Sequence, residues 1–237
     1  AEEVGPDDTL LLLGDLVNVI DYTSMDGILV DIFGVDAVHE VVALRAAGRF
    51  DEARQVMAKR RSGREEEIAS DLQRSIAEAY QEVFDALPGK TLLILGNVDS
   101  PAVVDRIRPP SVESVDGKVV QLQGRSVGFI GGGLPTPLKI QGEIPEEEFD
   151  AKLDGLGPVD VLCTHMPPDL PELTYDVLAE RHERGSSGLL RYILKFQPEK
   201  VFFGHIHQPV LSSIHIGRTH AVNAGYFRRT KRALTLW

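Results

Sequence analysis

Cysteine is all but missing from this chain, and the one present, Cys163, lies in an apolar, strand-like run away from any basic cluster. A lone thiol cannot close an internal disulfide, so a disulfide-stapled fold is excluded and an inert core thiol of a reducing compartment is expected. The same shortage of thiolates argues against a cysteine-built zinc cage. Positive charge is also short: 25 Lys and Arg stand against 36 Asp and Glu, a formal charge of -11. Such a chain repels long polyanions, which excludes extended nucleic acid held on a broad basic surface. A small phosphorylated molecule drawn to bound cations is the anionic partner that stays compatible. No run has the ~18 apolar residues of a membrane span, and the first residues lack the charged-then-apolar order of a signal peptide. The expectation is a cytoplasmic protein with no membrane partner.

What is present is apolar material for one sizeable core: 237 residues at 43% hydrophobic, with no compositional break marking a second. We therefore expect a single domain over 1–237, carrying a helical insertion at about 20–90. Ile68, Leu72, Ile76, Ala79, Tyr80, Val83, Phe84 and Leu87 recur at three- and four-residue spacings, an amphipathic helix that Pro88-Gly89 stops. Val38, Val41, Val42 and Arg45 suggest a shorter helix before it, and Asp51 to Lys59 another. The basic cluster Lys59 to Arg64, followed by Glu65-Glu66-Glu67, reads as a solvated helix junction. Ala1 to Pro6 reads as the last turn of a helix capped by Gly5, which suggests that a preceding strand and helix lie outside this sequence.

From Ser114 the period changes to two. Ser114-Val115, Lys118 to Gln123 and Ser126 to Ile130, separated by Asp116-Gly117 and Gly124-Arg125, read as strands joined by hairpin turns. Gly131 to Pro137 lacks the spacing of a dinucleotide or P-loop fingerprint and reads as a strand-exit loop, with a border of the active site as the alternative. Prolines at 167, 168 and 171 keep the next stretch irregular until Ser186-Ser187 caps a helix carrying Leu189, Leu190, Ile193 and Leu194. Leu211 to Ile216, Thr219 to Val222 and Arg232 to Trp237 read as closing strands. Crossover helices in the outer regions and hairpins in the middle point to an α/β architecture of two mixed sheets packed together with helices outside.

Four apolar runs end in a polar residue suited to binding a cation. Thr9 to Leu13 leads into Gly14-Asp15, Thr91 to Leu95 into Gly96-Asn97, Val159 to Cys163 into Thr164-His165, and Val201 to Phe203 into Gly204-His205-Ile206-His207. Carboxyl ends of strands gather on one edge in such sheets, where loops build a site. Asp15, Asn97, His165, His205 and His207 form a mixed oxygen and nitrogen set that suits Mn, Fe, Zn, Co or Ni better than Ca or Mg. One carboxylate can bridge two such cations, which would then clamp phosphate oxygens, and Asp15 is the natural bridge. Asp99 reads either as a group that orients a ligand or as a capping acid, and Asn223 as a turn residue that could line the same edge. Arg228 to Arg232 reads as a solvated hairpin, with a phosphate clamp as the lesser reading. His39, His182, His215 and His220 lack ligand spacing.

These spaced motifs resemble the calcineurin-like metallophosphoesterase superfamily, whose signature is Asp-x-His, Gly-Asp, Gly-Asn, a strand-end His and Gly-His-x-His. The style is that of its small bacterial phosphodiesterase-like members, because Gly96-Asn97-Val98-Asp99 carries Asp two places after Asn with no His between. The resemblance implies a four-layer α-β-β-α sandwich of the metallo-dependent phosphatase type. It implies a dinuclear centre, Mn fitting best, in which Asp15 bridges, Asn97, His165 and His205 hold one ion and His207 holds the other. It implies hydrolysis of a small phosphorylated substrate by attack of a metal-bound hydroxide on phosphorus, and an insertion that could cap the site or serve a homodimer. No Asp-x-His precedes Gly14, which we expect to reflect a segment outside this sequence. Val98 stands where other members place an imidazole that aids the leaving oxygen. Such help is worth about 100- to 10,000-fold, or about 3 to 5 kcal/mol, so its loss favours phosphodiesters and activated aryl phosphates over alkyl monoesters. Pyrophosphate cleavage in nucleotides or sugars would use the same centre. The competing reading is an inactive interaction scaffold on the same fold, as the family's retromer subunit exemplifies.

Overall fold

The computed structural model describes residues 5, 8–21, 24–137 and 140–236. Strand β1 (Leu10–Leu12) runs parallel to β2 (Thr91–Leu93). Between them lies the helical excursion: α1 (Ile28–Phe33), α2 (Val35–Ala46), α3 (Phe50–Arg61) and α4 (Glu65–Asp85). Helix α5 (Pro101–Ile107) then leads to β3 (Val112–Ser114), also parallel to β2, giving a three-stranded sheet in the order β1-β2-β3.

The chain next crosses to a six-stranded sheet. Strands β4 (Val119–Leu122) and β5 (Arg125–Ile130) form a hairpin through Gln123 and Gly124, both at positive φ, as a two-residue turn of matching twist requires. Helix α6 (Glu146–Leu156) precedes β6 (Val161–Thr164), and α7 (Pro171–Thr174) leads to the short pair β7 (Tyr175–Asp176) and β8 (Arg181–His182). Helix α8 (Ser187–Phe196) is capped by Ser186, whose hydroxyl accepts from the Leu189 amide at 3.0 Å. Strands β9 (Lys200–Phe203), β10 (Ser213–Ile216) and β11 (Thr219–Asn223) follow, then α9 (Phe227–Thr230). The order is β10-β11-β9-β6-β5-β4, with β5, β6, β9 and β11 parallel and the outer strands antiparallel to their neighbours.

The alternation along β5 shows how the core is divided. Val127 and Phe129 face Leu92, Ile94, Val115, Val161, Cys163 and Phe202, a cluster shared by both sheets. Ile130 instead joins Leu162, Val201 and Phe203 against Phe149 and Leu153 of α6 and Leu189 and Ile193 of α8. Helices α4 and α5 cover the smaller sheet, where Tyr80, Phe84, Val103 and Val104 meet Leu93 and Val112. Each such side chain, once fully buried, contributes about 1.5–3 kcal/mol. Phe33, Ala37, Val38 and Ile68 form a separate cluster that holds α1, α2 and α4 together.

The chain is thus α/β with mixed parallel and antiparallel pairing, although the three described strands of the smaller sheet are all parallel. Three expectations need correction. Ser114 belongs to a strand beside β2 rather than to a hairpin, because the Val115 amide donates to the Leu93 carbonyl at 3.0 Å and Val112 and Val115 are fully buried there. The stretch after the prolines is more ordered than expected, since Pro171 occupies a first-turn position of α7 that needs no amide hydrogen. Arg232 to Leu236 forms no strand; its residues are exposed apart from the half-buried Leu236. Trp237, and the helix tail expected over Ala1 to Pro6 apart from Gly5, lie outside the described residues. Cys163 is fully buried, and burial pushes its thiol up to about 12, as an inert core thiol requires.

Candidate metal centre

The parallel strands β1, β2, β6 and β9 deliver Asp15, Asn97, His165 and His205 to one edge. Asp15, His165 and His205 each present a ligand atom, and these atoms lie within 4.8 Å of one another. Asn97 Oδ1 is 3.1 Å from His165 Nε2 and 3.0 Å from His205 Nδ1, and Asp15 Oδ2 is 3.5 Å from His165 Nε2. Asn97 and His165 are buried, whereas Asp15 and His205 keep partial exposure.

Close backbone approach makes this convergence work. A Cβ on Gly96 would overlap Asp15 Oδ1 and stand 2.5 Å from His165 Cε1 and 2.7 Å from the Asp15 amide nitrogen. Gly14, at φ 93, meets the Gly96 backbone in the same way, so the two turns interlock. Asp15 (φ 55) and His205 (φ 67) both hold the left-handed conformation that residues with a Cβ avoid. Such local strain persists only where the surroundings over-determine it.

Hydrogen bonding sets the tautomer of His165. Its Nδ1 lies 2.8 Å from the Leu13 carbonyl oxygen, which can only accept, so Nδ1 carries the hydrogen. In the neutral ring Nε2 is then a lone pair, and it faces two further acceptors, Asn97 Oδ1 and Asp15 Oδ2. Three acceptors so close together are unfavourable unless a proton on Nε2 or a cation lies among them. Turning the Asn97 amide over would supply N–H groups to the rings, but it leaves the Asp15 carboxylate against the same lone pair. A divalent cation fits this donor set on its chemistry. Burial, reinforced by the neighbouring His165, pulls His205 down to about 3, so it is neutral near pH 7 and able to ligate.

The Asp99 side chain fixes the backbone that carries the cluster. It is fully buried; Oδ2 accepts from the amides of Asp15 (2.7 Å) and Gly96 (2.7 Å), and Oδ1 from the Leu16 amide (3.0 Å) and the Tyr80 hydroxyl (2.9 Å). Burial and then the charge of Asp15 push its carboxyl upward, while the amide of Gly96 pulls it back. Asn223 serves its turn, accepting from the Gly225 amide at 2.7 Å, and also donates to the Ile206 carbonyl at 3.0 Å between the two histidines. The loop from Gly131 borders the cluster: a Cβ on Gly133 would overlap that of Asn97, and the Gly142 amide donates to the Asn97 carbonyl at 3.0 Å.

His207 stands apart. It is exposed and lies flat on Tyr226, ring centroids 4.0 Å apart and planes at 3°. Tyr226 in turn donates to Asp21 Oδ2 at 3.2 Å, and Arg228 pairs with Asp26 at 3.0 Å, so the segment after β11 clasps the entry to the insertion. Arg228 and Arg229 lie on α9 rather than on the expected hairpin, and the left-handed Lys231 ends that helix. The Lys59 to Arg64 cluster is exposed at a helix junction. His39, His182, His215 and His220 lie outside the cluster, the last two stacked on each other across the β10–β11 pair.

Sequence reasoning missed Tyr80, Tyr226 and Asp176. Buried Asp176 accepts from the Leu178 amide at 2.8 Å and more weakly from the Gln208 amide at 3.4 Å, holding the histidine loop from the side. Tyr80 left a usable signal, since a tyrosine on an apolar stripe must find a partner for its hydroxyl.

No family model matches the chain, and no curated protein does. A solved structure is similar over 93% of this chain and 80% of its own, with a TM-score of 0.57 at 17% sequence identity. At that identity the likeness shows a shared fold and nothing of activity. No helix among the described residues is long and apolar enough to cross a membrane.

Proposed function

We propose that this chain is a metal-dependent phosphoesterase of the calcineurin-like type, built on a four-layer α-β-β-α sandwich and acting on phosphodiesters or activated aryl phosphates. The observation that carries the reading is the His165 Nε2 lone pair facing Asn97 Oδ1 and Asp15 Oδ2, a constellation that asks for a cation. Asp15, Asn97, His165 and His205 would hold one ion, with His207 reserved for a second that Asp15 shares. Bound divalent ions of this kind, Mn foremost, supply Lewis acidity toward phosphate oxygens and a nucleophile at neutral pH.

The residues themselves divide the work. The Leu13 carbonyl keeps His165 in the tautomer whose Nε2 faces the centre. The Val98 amide holds Asp15 Oδ1 at 3.2 Å and leaves Oδ2 directed toward His165. Val98 offers no proton to a leaving oxygen, which supports substrates whose leaving group departs as a stable anion. The net charge of -11 leaves bound cations as the principal attraction for an anionic substrate.

The test is metal content by elemental analysis together with hydrolysis of bis(p-nitrophenyl) phosphate with and without added Mn. Mn-dependent turnover is expected, and Asp15→Asn should abolish it while the circular dichroism spectrum stays unchanged. Metal-free protein with no turnover would replace this reading by that of an interaction scaffold.

A further inference from the structure

The helical insertion reaches the turns of the centre through a side chain the proposed chemistry does not use. Tyr80 sits on α4 and is fully buried, its ring stacked near Phe84 at 6.1 Å between centroids. Its hydroxyl donates to Asp99 Oδ1 at 2.9 Å and accepts from the Ser100 amide at 2.8 Å. Asp99 passes that constraint on, since its other oxygen grips the amides of Asp15 and Gly96 together. We propose that Tyr80 is a positioning residue for the metal centre, through which helix α4 fixes the Gly14-Asp15 and Gly96-Asn97 turns.

Four donors saturate the Asp99 carboxylate, two to each oxygen. Removal of the Tyr80 hydroxyl leaves Oδ1 with the Leu16 amide alone and leaves the buried Ser100 amide without its acceptor. Neither loss is readily repaired by water in a site closed by Tyr80, Asp99 and Ser100, all buried. The carboxylate is then held by three donors instead of four, and any change in its orientation moves the Asp15 and Gly96 amides it holds. Asp15 responds because its φ of 55 is a conformation it keeps only under constraint. A shift of either turn misplaces Asp15 and Asn97 together. Linkage makes the effect reciprocal: whatever α4 contributes to cation binding, cation binding returns to the docking of α4.

The inference rests on the metal reading above, and its test separates the two. Tyr80→Phe keeps the ring and deletes only the hydroxyl; Phe84→Leu loosens the same helix and leaves the hydroxyl in place. Amide hydrogen exchange is measured first without metal. Tyr80→Phe should speed exchange at Asp15, Leu16 and Gly96 by about tenfold, whereas Phe84→Leu should lower Tm and leave those amides unchanged. Calorimetric titration with Mn should then show a Kd raised about 10- to 100-fold in Tyr80→Phe alone. If Tyr80→Phe does not fold, wild-type exchange decides: Mn should protect residues 78–84 as well as 14–16. Unchanged amides and Mn affinity in Tyr80→Phe, or Mn protection that stops short of α4, overturns the inference. A wild-type protein that takes up no Mn overturns the metal reading, while the metal-free exchange still decides the role of Tyr80.

Discussion

His205 and His207 are separated by one residue at the exit of β9, yet they occupy different environments. His205 meets Asn97 Oδ1 at 3.0 Å and is held neutral by burial, whereas His207 is exposed and stacked on Tyr226. In an extended strand, residues two apart share a face. The left-handed φ of 67 at His205 breaks that relation, with Ile206, only 1% exposed, anchored between the two. One side of the centre is therefore built on strand ends locked to the core, and the other on a loop that leans on a neighbouring aromatic. Residue type is common to both sides; the tightness of the surrounding backbone is not.

The change expected to damage the locked side most is Gly96→Ala. The added methyl must displace the Asp15 turn or the His165 ring, and overpacking of this kind costs about 1–3 kcal/mol. Mn binding should disappear in calorimetry and Tm should fall by several degrees; retention of both would show that the two turns are not interlocked. Next in size is the direct contrast between the histidines. His205→Ala should weaken binding of the tight ion by more than about 100-fold and His207→Ala by less than about tenfold, as one ligand inside the cluster and one outside it imply. Equal losses in a Mn titration would erase the distinction drawn here.

The smallest effect belongs to the clasp. The hydrogen bond from Asn18, and then Arg228, holds the Asp26 carboxyl below its usual range. A carboxyl depressed on folding adds stability above its unfolded value, and that stability is lost as pH falls through the folded value, here below about pH 4. Because Asp26 and Arg228 are both exposed to solvent, the amount is on the order of 0.5 kcal/mol. Asp26→Asn should flatten the acid limb of a Tm-versus-pH curve by that amount and speed exchange across residues 18–28. A variant whose curve runs parallel to wild type would remove the clasp from the account.

Much of this was legible in the chain. The stripe from Ile68 to Phe84 reappears in α4, the Ser186 cap is made as expected, and each apolar run ends where the sequence places its polar residue. The misreadings share a cause. Ser114-Val115 has the local appearance of a hairpin strand, but its partner is β2, chosen by a core that no local pattern encodes. What local pattern could not show for His207 is its stacking on Tyr226, which one backbone angle and one ring decide. Tyr80 reads as one more apolar stripe position because the carboxylate it serves lies 19 residues away.

Residue order along the chain sets which kinds of residue stand at strand ends, where the helices between them run, and which glycines let turns approach. These follow from local propensity and period, which act over a few residues. Packing of the whole chain brings Asp15, Asn97, His165 and His205 together and leaves His207 against Tyr226. That meeting depends on parallel registers in two sheets packed face to face, expressed most directly where the Leu13 carbonyl and His165 Nδ1, 152 residues apart, come within 2.8 Å. Contacts of that range are set by how the whole core closes.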